Sequence, residues 1–238
     1  MLISALILSH LKAGHKVVVI ADVAPFELER WRTLMVPRTL EPRLTTFALE
    51  TLAPVGIEDD IFLRKSVQWA QGAKAAYEQI PFDAIEFFEY AGAAFETLLH
   101  RNKYLPSSVR IVARIHGSPM LIDIASSLLK SKGPNSVYSN SFNPGRQRMY
   151  LMERYVLMRS DFVISPSKSL ANIYVDAYHI QPSRIHIGLP CMREMLSELH
   201  AKSVAPKVEA APPPSFLFYG SLQTVKGYKV IIDASICY

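Results

Sequence analysis

The sequence has little cysteine, little charge and no long hydrophobic run. Its two cysteines, Cys191 and Cys237, lie far apart without a CxxC pattern, which argues against a disulfide framework or a zinc knuckle and favours a reducing compartment. Charged residues make up 20% of the chain, too few for a disordered or coiled-coil protein. His10 and Lys12 interrupt the apolar N-terminal stretch well short of the roughly 20 residues that a membrane-spanning helix needs. The stretch has no basic residues before it and no small-x-small cleavage site after it, so we expect no signal peptide.

The residues that are present suit a globular protein. Half of the 238 residues are apolar, which is enough for a sizeable core in one large or two small domains. The net charge is +5, but Lys and Arg are scattered among acidic residues, so nucleic acid is not an expected partner. The same balance allows weak contact with anionic lipid headgroups. Together with the cysteine usage, this predicts a cytoplasmic protein for which peripheral membrane contact is allowed.

Helix-like and strand-like segments alternate along most of the chain. Apolar spacing predicts a helix over residues 2–11, ended by Gly14, and then a strand over residues 17–20 that is buried on both faces. Further helices are predicted over residues 64–79, 92–102, 120–131, 146–159 and 168–178, further strands over 83–88, 109–115, 162–164 and 184–188, and a loop over 133–145. This alternation is typical of an α/β fold with a Rossmann-like, doubly wound parallel sheet.

The composition changes towards the C-terminus. Residues 201–214 are rich in Ala and Pro and predict an exposed connection. Residues 216–234 then predict one strand, a tight turn and one helix, which is too little for a domain. We therefore divide the chain into an α/β domain, a linker and the first βα unit of a second domain, at residues 1–195, 196–214 and 215–238.

The first candidate site follows the strand predicted over residues 109–115. Ligands of open α/β sheets bind at the C-terminal ends of the strands, where His116 and Gly117 lie. His116 could donate a hydrogen bond to a hydroxyl or phosphate group or act as an acid or base, and Gly117 lets a ligand approach the backbone. The alternative is a turn histidine without a ligand.

The second candidate site follows the strand predicted over residues 83–88. Glu89 can accept hydrogen bonds from a hydroxyl-rich ligand while the Tyr90 ring stacks on it. The alternative is an acidic residue that caps the N-terminus of the next helix.

The third candidate site is the segment 220–227, which follows a strand and opens a helix. Its backbone N–H groups and Lys226 could face an anion. The segment matches neither the Walker pattern nor GxGxxG, so an ordinary strand–turn–helix junction is the alternative.

Residue chemistry alone assigns no role to Glu153 or to the remaining histidines. For Glu153 the plain interpretation is a surface residue paired with Arg154 or Arg159. The other histidines lack metal-ligand spacing, and neither HExxH nor GxSxG is present, so a zinc hydrolase and a serine hydrolase have no support.

Four segments, taken in order, resemble one family. They are A-G-H-K-V at 13–17, A-R-I-H-G-S-P at 113–119, E-R-Y-V-L-M-R-S-D-F-V-I-S-P-S at 153–167 and L-F-Y-G-S-L-Q-T-V-K-G at 217–227. Each resembles a motif of the GT-B retaining glycosyltransferases of the family 4 type. The individual motifs are modest, but their order over nearly the whole chain is much more specific.

This resemblance implies transfer of a sugar, with retention, from a nucleotide diphosphate sugar to a glycan, lipid-linked or small-molecule acceptor. The donor would lie between two Rossmann-like domains, and neither a metal nor a cofactor is expected. The departing phosphate charge needs a fixed cation nearby. The resemblance implies a catalytic role beside the donor sugar for His116, donor-phosphate binding for Gly220, Ser221, Lys226 and Gly227, and acceptor-side roles for Glu89, Tyr90, Ser118 and Glu153.

The chain also departs from the family pattern. Ser221 stands where the family has Arg, nothing precedes Met1 where the family has a first strand, and Tyr238 comes before the paired glutamates of the donor domain. Without a central strand, backbone groups of its neighbours would lack partners. We therefore expect a fragment that is inactive alone. The alternatives are a non-catalytic module that binds a glycan or partner, and a sugar-nucleotide epimerase of the same fold, for which no matching acid/base set is found.

Overall fold

The computed structural model describes residues 2–49, 60–121 and 144–188. The predicted linker at 196–214 and the predicted βα unit at 215–238 lie outside these ranges, as do most of the helix predicted over 120–131 and most of the loop predicted over 133–145. Pro144 already begins a helix, so that loop ends earlier than its composition indicates.

Helices and strands alternate in the described ranges. The helices are α1 (Leu2–Lys12), α2 (Pro25–Met35), α3 (Ile61–Gln79), α4 (Phe95–Leu99), α5 (Arg101–Tyr104), α6 (Pro144–Arg159) and α7 (Lys168–Tyr178). The strands are β1 (Val17–Ala21), β2 (Leu44–Ala48), β3 (Ala84–Phe88), β4 (Arg110–Arg114), β5 (Phe162–Ser165) and β6 (Ile185–Ile187). Short 3-10 turns lie at Glu41–Arg43, Tyr90–Gly92 and Pro182–Arg184.

The strands form two parallel sheets. One pairs β1 with β2, and the other has the order β3-β4-β5-β6. In the ranges that the structure covers, neither β1 nor β2 is hydrogen-bonded to the larger sheet. The α/β fold with parallel sheets is confirmed.

Helix α3 packs against β1 and contributes small residues to the core of the larger sheet. Ala70 and Ala73 are fully buried, and the backbone at Gly72 approaches so closely that a Cβ there would lie 2.2 Å from Leu49 Cδ2 and 3.4 Å from Ile20 Cγ2. Ile20 of β1 also packs against the larger core. That core consists of buried residues from β3–β5 and helices α3–α7, among them Phe87, Leu98, Leu105, Ile111, Val156, Leu157 and Val163. Burial of each large apolar side chain stabilises the fold by about 1.5–3 kcal/mol.

Most predicted elements are confirmed, with three corrections. The single helix predicted over 92–102 is wrong, because the chain leaves helical geometry at His100 (φ −121°, ψ 44°) and forms α4 and α5. The residues of β1 are half-buried instead of buried, since its only described hydrogen-bonded neighbour is β2. Helix α2 and strand β2 were not predicted. Ser167 caps the N-terminus of α7 as expected, and its hydroxyl accepts the Leu170 N–H at 3.1 Å.

Candidate functional site

The first two candidate sites lie side by side at the carboxyl ends of β3 and β4. Phe88 and Arg114 are register partners, and the Glu89 N–H donates to the Arg114 carbonyl at 3.1 Å. Because the strands are parallel, the segments that follow them leave the sheet at the same edge. Residues 89–92 and 116–118 therefore meet, as the strand-end argument requires.

Glu89 is fully buried and binds the turn after β4. Its Oε1 accepts the N–H groups of His116 at 2.8 Å and Gly117 at 2.6 Å, and the Tyr174 hydroxyl at 2.9 Å. Its Oε2 has no hydrogen-bond partner among the described residues. Glu89 thus caps the neighbouring turn and not a helix of its own segment.

Glu153 of α6 is also fully buried, so its interpretation as a surface residue is wrong. Its Oε1 accepts the Ala91 N–H at 3.0 Å, and its Oε2 accepts the Ser118 hydroxyl at 2.7 Å. The backbone after β3 lies directly on α6, because a Cβ at Gly92 would be 2.5 Å from Met152 Cβ. This close approach buries Glu153.

Two tyrosines of α7 complete the group, and sequence reasoning missed both. The rings of Tyr174 and Tyr178 stack with centroids 5.3 Å apart. The Tyr174 hydroxyl accepts the Ser118 N–H at 2.7 Å, and the Tyr178 hydroxyl lies 2.5 Å from Ser118 Oγ. Burial, together with the neighbouring carboxylates, raises the pKa of both tyrosines. The signal in the sequence was their spacing, since residues four apart share one helix face.

We call Glu89, Ser118, Glu153, Tyr174 and Tyr178 the carboxylate cluster. Burial raises the pKa of Glu153 to about 7, and the charge of Glu89 adds to this increase. Hydrogen bonds from Ser118, Ala91 and Tyr178 act in the opposite direction. In the described part of the chain, backbone amides and hydroxyl groups are the donors that reach these carboxylates.

His116 and Tyr90 face solvent, unlike the carboxylate cluster. Tyr90 is 58% exposed, and the exposed His116 ring lies edge-on against Phe88 with centroids 5.8 Å apart. Three of the four acceptor-side candidates are therefore interior residues, and Tyr90 is the one that reaches the surface. The predicted donor-phosphate residues Gly220, Ser221, Lys226 and Gly227 lie outside the described ranges.

A cation next to this edge is already neutralised by an ion pair. Arg114, which ends β4, is mostly buried and donates from Nε to Glu86 Oε1 at 2.5 Å and from Nη2 to Glu86 Oε2 at 2.9 Å. Such a bidentate pair has fixed geometry. Arg114 therefore joins β4 to β3 and is not an open anion site.

The described ranges contain neither a candidate metal centre nor a candidate membrane span. No three or more His, Cys, Asp and Glu side chains gather there in a way that could hold a metal ion. Among the same residues, no helix has both the length and the apolar character to cross a membrane.

The fold and site define a Rossmann-like α/β protein whose polar side chains converge where two adjacent parallel strands end. That edge is where ligands bind in open α/β sheets. Residues 3–188 match Glycosyltransferase Family 4, and the chain belongs to that family. No match was found among curated proteins.

Proposed function

We propose that this chain is the acceptor-side part of a retaining GT-B glycosyltransferase. The enzyme would transfer a sugar from a nucleotide diphosphate sugar to a glycan, lipid-linked or small-molecule acceptor. Membership of Glycosyltransferase Family 4 supports binding of a sugar donor and acceptor in general. The observation that carries the site is the exposed His116 imidazole at the carboxyl end of β4, together with the exposed Tyr90 that follows the adjacent strand β3.

The proposed chemistry divides between two segments. His116 would bind a hydroxyl of the donor sugar, and Tyr90 would stack on a sugar ring. Negative charge on the departing diphosphate would be stabilised by Lys226 and by backbone N–H groups near Gly220, Ser221 and Gly227. No cofactor takes part in this proposal.

Binding of simple sugars tests the exposed site at His116 and Tyr90 directly. Ligand-observed NMR with methyl hexosides should show binding to the whole chain, weakened about tenfold in His116→Ala, which is the value of one lost hydrogen bond. Tyr90→Ala should weaken it similarly. Phe26→Ala is a matched control, because Phe26 is an exposed ring (71%) on α2 outside the site. Binding that is insensitive to both site variants would refute this location.

Turnover tests the proposal that the isolated chain is inactive. We expect neither transfer nor hydrolysis of nucleotide sugars by the 238-residue chain, since one of two expected cations is replaced by Ser221. Measurable donor hydrolysis that is lost in Lys226→Ala would overturn this part of the proposal and would establish the chain as an enzyme by itself.

The second candidate is a non-catalytic module that binds a glycan or partner. It is favoured by the interior position of Glu89, Ser118 and Glu153, which leaves His116 and Tyr90 as the exposed candidates among the described residues. Micromolar affinity for nucleotide sugars would favour the enzyme, whereas glycan binding without nucleotide-sugar binding would favour the module.

We also propose a cytoplasmic location, based on the low cysteine content, and weak peripheral membrane contact, based on the excess of basic residues. Co-sedimentation with phosphatidylserine vesicles but not with phosphatidylcholine vesicles, abolished by high salt, is the expected result. Equal sedimentation with both vesicle types would contradict it.

A further inference from the structure

The turn after β4 has three consecutive backbone amides bound by side chains from distant elements. The N–H groups of His116 and Gly117 both donate to Glu89 Oε1, and that of Ser118 donates to the Tyr174 hydroxyl. Gly117 has φ +153°, a conformation that side-chain-bearing residues rarely adopt. The turn therefore does not obtain its shape from helix or strand hydrogen bonds, and the carboxylate cluster supplies the partners instead.

Two buried carboxylates, Glu89 and Glu153, bind this one turn, although their burial has an unfavourable free energy of desolvation. Removing a carboxylate from water is unfavourable unless good hydrogen bonds replace the solvent. Glu89 accepts three bonds here, and bonds to an ionised acceptor are about twice as strong as neutral ones. Glu153 holds the far end of the same turn through Ser118 and holds the chain after β3 through Ala91. Both carboxylates act on the geometry of residues 116–118.

The imidazole of His116 extends from this fixed backbone into solvent. The His116 ring contacts the Phe88 ring edge-on, and this contact limits rotation of the imidazole without a hydrogen bond. The position of the ring therefore depends mainly on the backbone of residues 116–118, in which Glu89 accepts the His116 N–H at 2.8 Å and the Tyr174 hydroxyl accepts the Ser118 N–H at 2.7 Å. Loss of either acceptor should release the turn and move the ring.

We propose that Glu89, Glu153 and Tyr174 are positioning residues, which do not contact ligand but fix the place where His116 presents its imidazole at the strand edge. The consequence for sugar binding rests on the proposed function. The positioning itself does not, because it concerns only contacts within this chain.

Histidine NMR of the whole chain tests the positioning step. The ¹³C–¹H resonance of His116 is assigned with His116→Gln and then compared in Glu89→Ala, Glu89→Gln and Tyr174→Phe. Glu96→Gln is the matched control, because Glu96 is another buried glutamate that accepts a tyrosine hydroxyl, from Tyr104 at 2.9 Å, on α4.

We expect the His116 resonance to shift or split in Glu89→Ala and in Tyr174→Phe. It should stay near the wild-type position in Glu89→Gln, which keeps an acceptor oxygen, and in Glu96→Gln. If Glu89→Ala does not fold, Tyr174→Phe still decides, because it keeps the ring and removes only the hydroxyl that bridges Ser118 and Glu89. An unchanged His116 resonance in a folded Tyr174→Phe or Glu89→Ala variant overturns the proposal.

The same variants link positioning to sugar binding. With methyl α-glucoside and methyl α-mannoside as probes, we expect Glu89→Ala to weaken binding about tenfold, as His116→Ala does, and the double variant to be no weaker than either single one. Additive losses would mean that Glu89 acts independently of His116 and would overturn the proposal. Binding to neither probe by the wild type, together with a shifted His116 resonance, would refute the proposed function and leave the positioning supported.

Discussion

Replacement of Glu153 by Gln should remove most of the pH dependence that this side chain gives to the free energy of unfolding. The Glu153 carboxyl has an ordinary pKa of 4.5, and burial raises the pKa in the folded chain to about 7. Between these values the folded chain binds more protons than the unfolded chain. The contribution of Glu153 therefore makes the protein less stable as the pH rises from about 4.5 to 7.

The size of this effect follows from the two pKa values. The interval between 4.5 and about 7 corresponds to about 3 kcal/mol, at 1.36 kcal/mol for each pH unit. The full penalty is present above pH 7 and is absent below pH 4.5. A Gln side chain has nearly the same shape but does not ionise. Its amide oxygen can still accept the Ala91 N–H, while the Ser118 hydroxyl loses its carboxylate partner.

Urea unfolding of the two proteins between pH 5 and pH 8 measures this contribution. At pH 5 we expect Glu153→Gln to be less stable than the wild type by about 1 kcal/mol, for the altered hydrogen bond. At pH 8 the difference should move in favour of the variant by about 2–3 kcal/mol. The difference in unfolding free energy between the two proteins removes the contributions of all other groups that titrate alike in both.

Ser118→Ala is the informative companion variant. The Ser118 hydrogen bond lowers the pKa of Glu153, so its removal should raise that pKa above 7 and extend the pH-dependent range towards higher pH. Parallel stability curves for wild type and Glu153→Gln across pH 5–8 would refute the reasoning, because they would show that Glu153 titrates alike in the folded and unfolded chains.

Three further predictions concern stability. Burial alone would raise the pKa of Asp161, but hydrogen bonds from Arg101 and the Ile111 amide outweigh burial and lower that pKa. In urea titrations at several pH values, Asp161→Asn should therefore be less stable than the wild type at pH 7 and should lack the loss of stability that Asp161 causes below pH 3.8. A deficit of the same size at all pH values would contradict this. Gly92→Ala should lower stability by about 3 kcal/mol, because the added Cβ would collide with α6. Gly14→Ala should cost about 1 kcal/mol, because φ is +93° there but the added Cβ would lie 3.8 Å from its nearest neighbouring atom. Thermal melts measure both losses, and equal losses would be inconsistent with the packing. Asp60→Ala removes the N-cap of α3 and should lower stability by about 1 kcal/mol, whereas Asp60→Asn should keep most of the capping stabilisation. Amide exchange of the first turn of α3 should therefore be faster in Asp60→Ala, and unchanged exchange in both variants would contradict the capping role.

Local patterns in the sequence predicted much of the fold. The β-branched run at 17–20 predicts β1 because such side chains suit an extended backbone, and Gly14 before it ends α1 with φ +93°. The hydroxyl of Ser167 predicts the start of α7 because it can accept an amide of the first turn. These features depend on residues within a few positions of each other.

The sequence also predicted that two of the candidate site residues follow strands. Glu89 and His116 were singled out because both follow strands, and parallel pairing of β3 with β4 brings strand ends together. Helix α2 was missed because its residues are mostly exposed, which leaves a weak apolar period. The break at His100 was missed because residues 95–104 have ordinary helix-forming chemistry on both sides of it.

The sequence by itself determined the α/β alternation, the end of α1, the start of α7 and the gathering of polar residues at one sheet edge, because each depends on local backbone preference or on side-chain period. Only the tertiary structure decided that Glu153 is an interior residue. Its carboxylate binds the amide of Ala91, which lies 62 residues away in the chain. No local pattern encodes such a contact, since burial and pKa depend on which distant elements pack against the side chain. The division between the buried carboxylate cluster and the exposed His116 and Tyr90 is therefore a property of the packed structure.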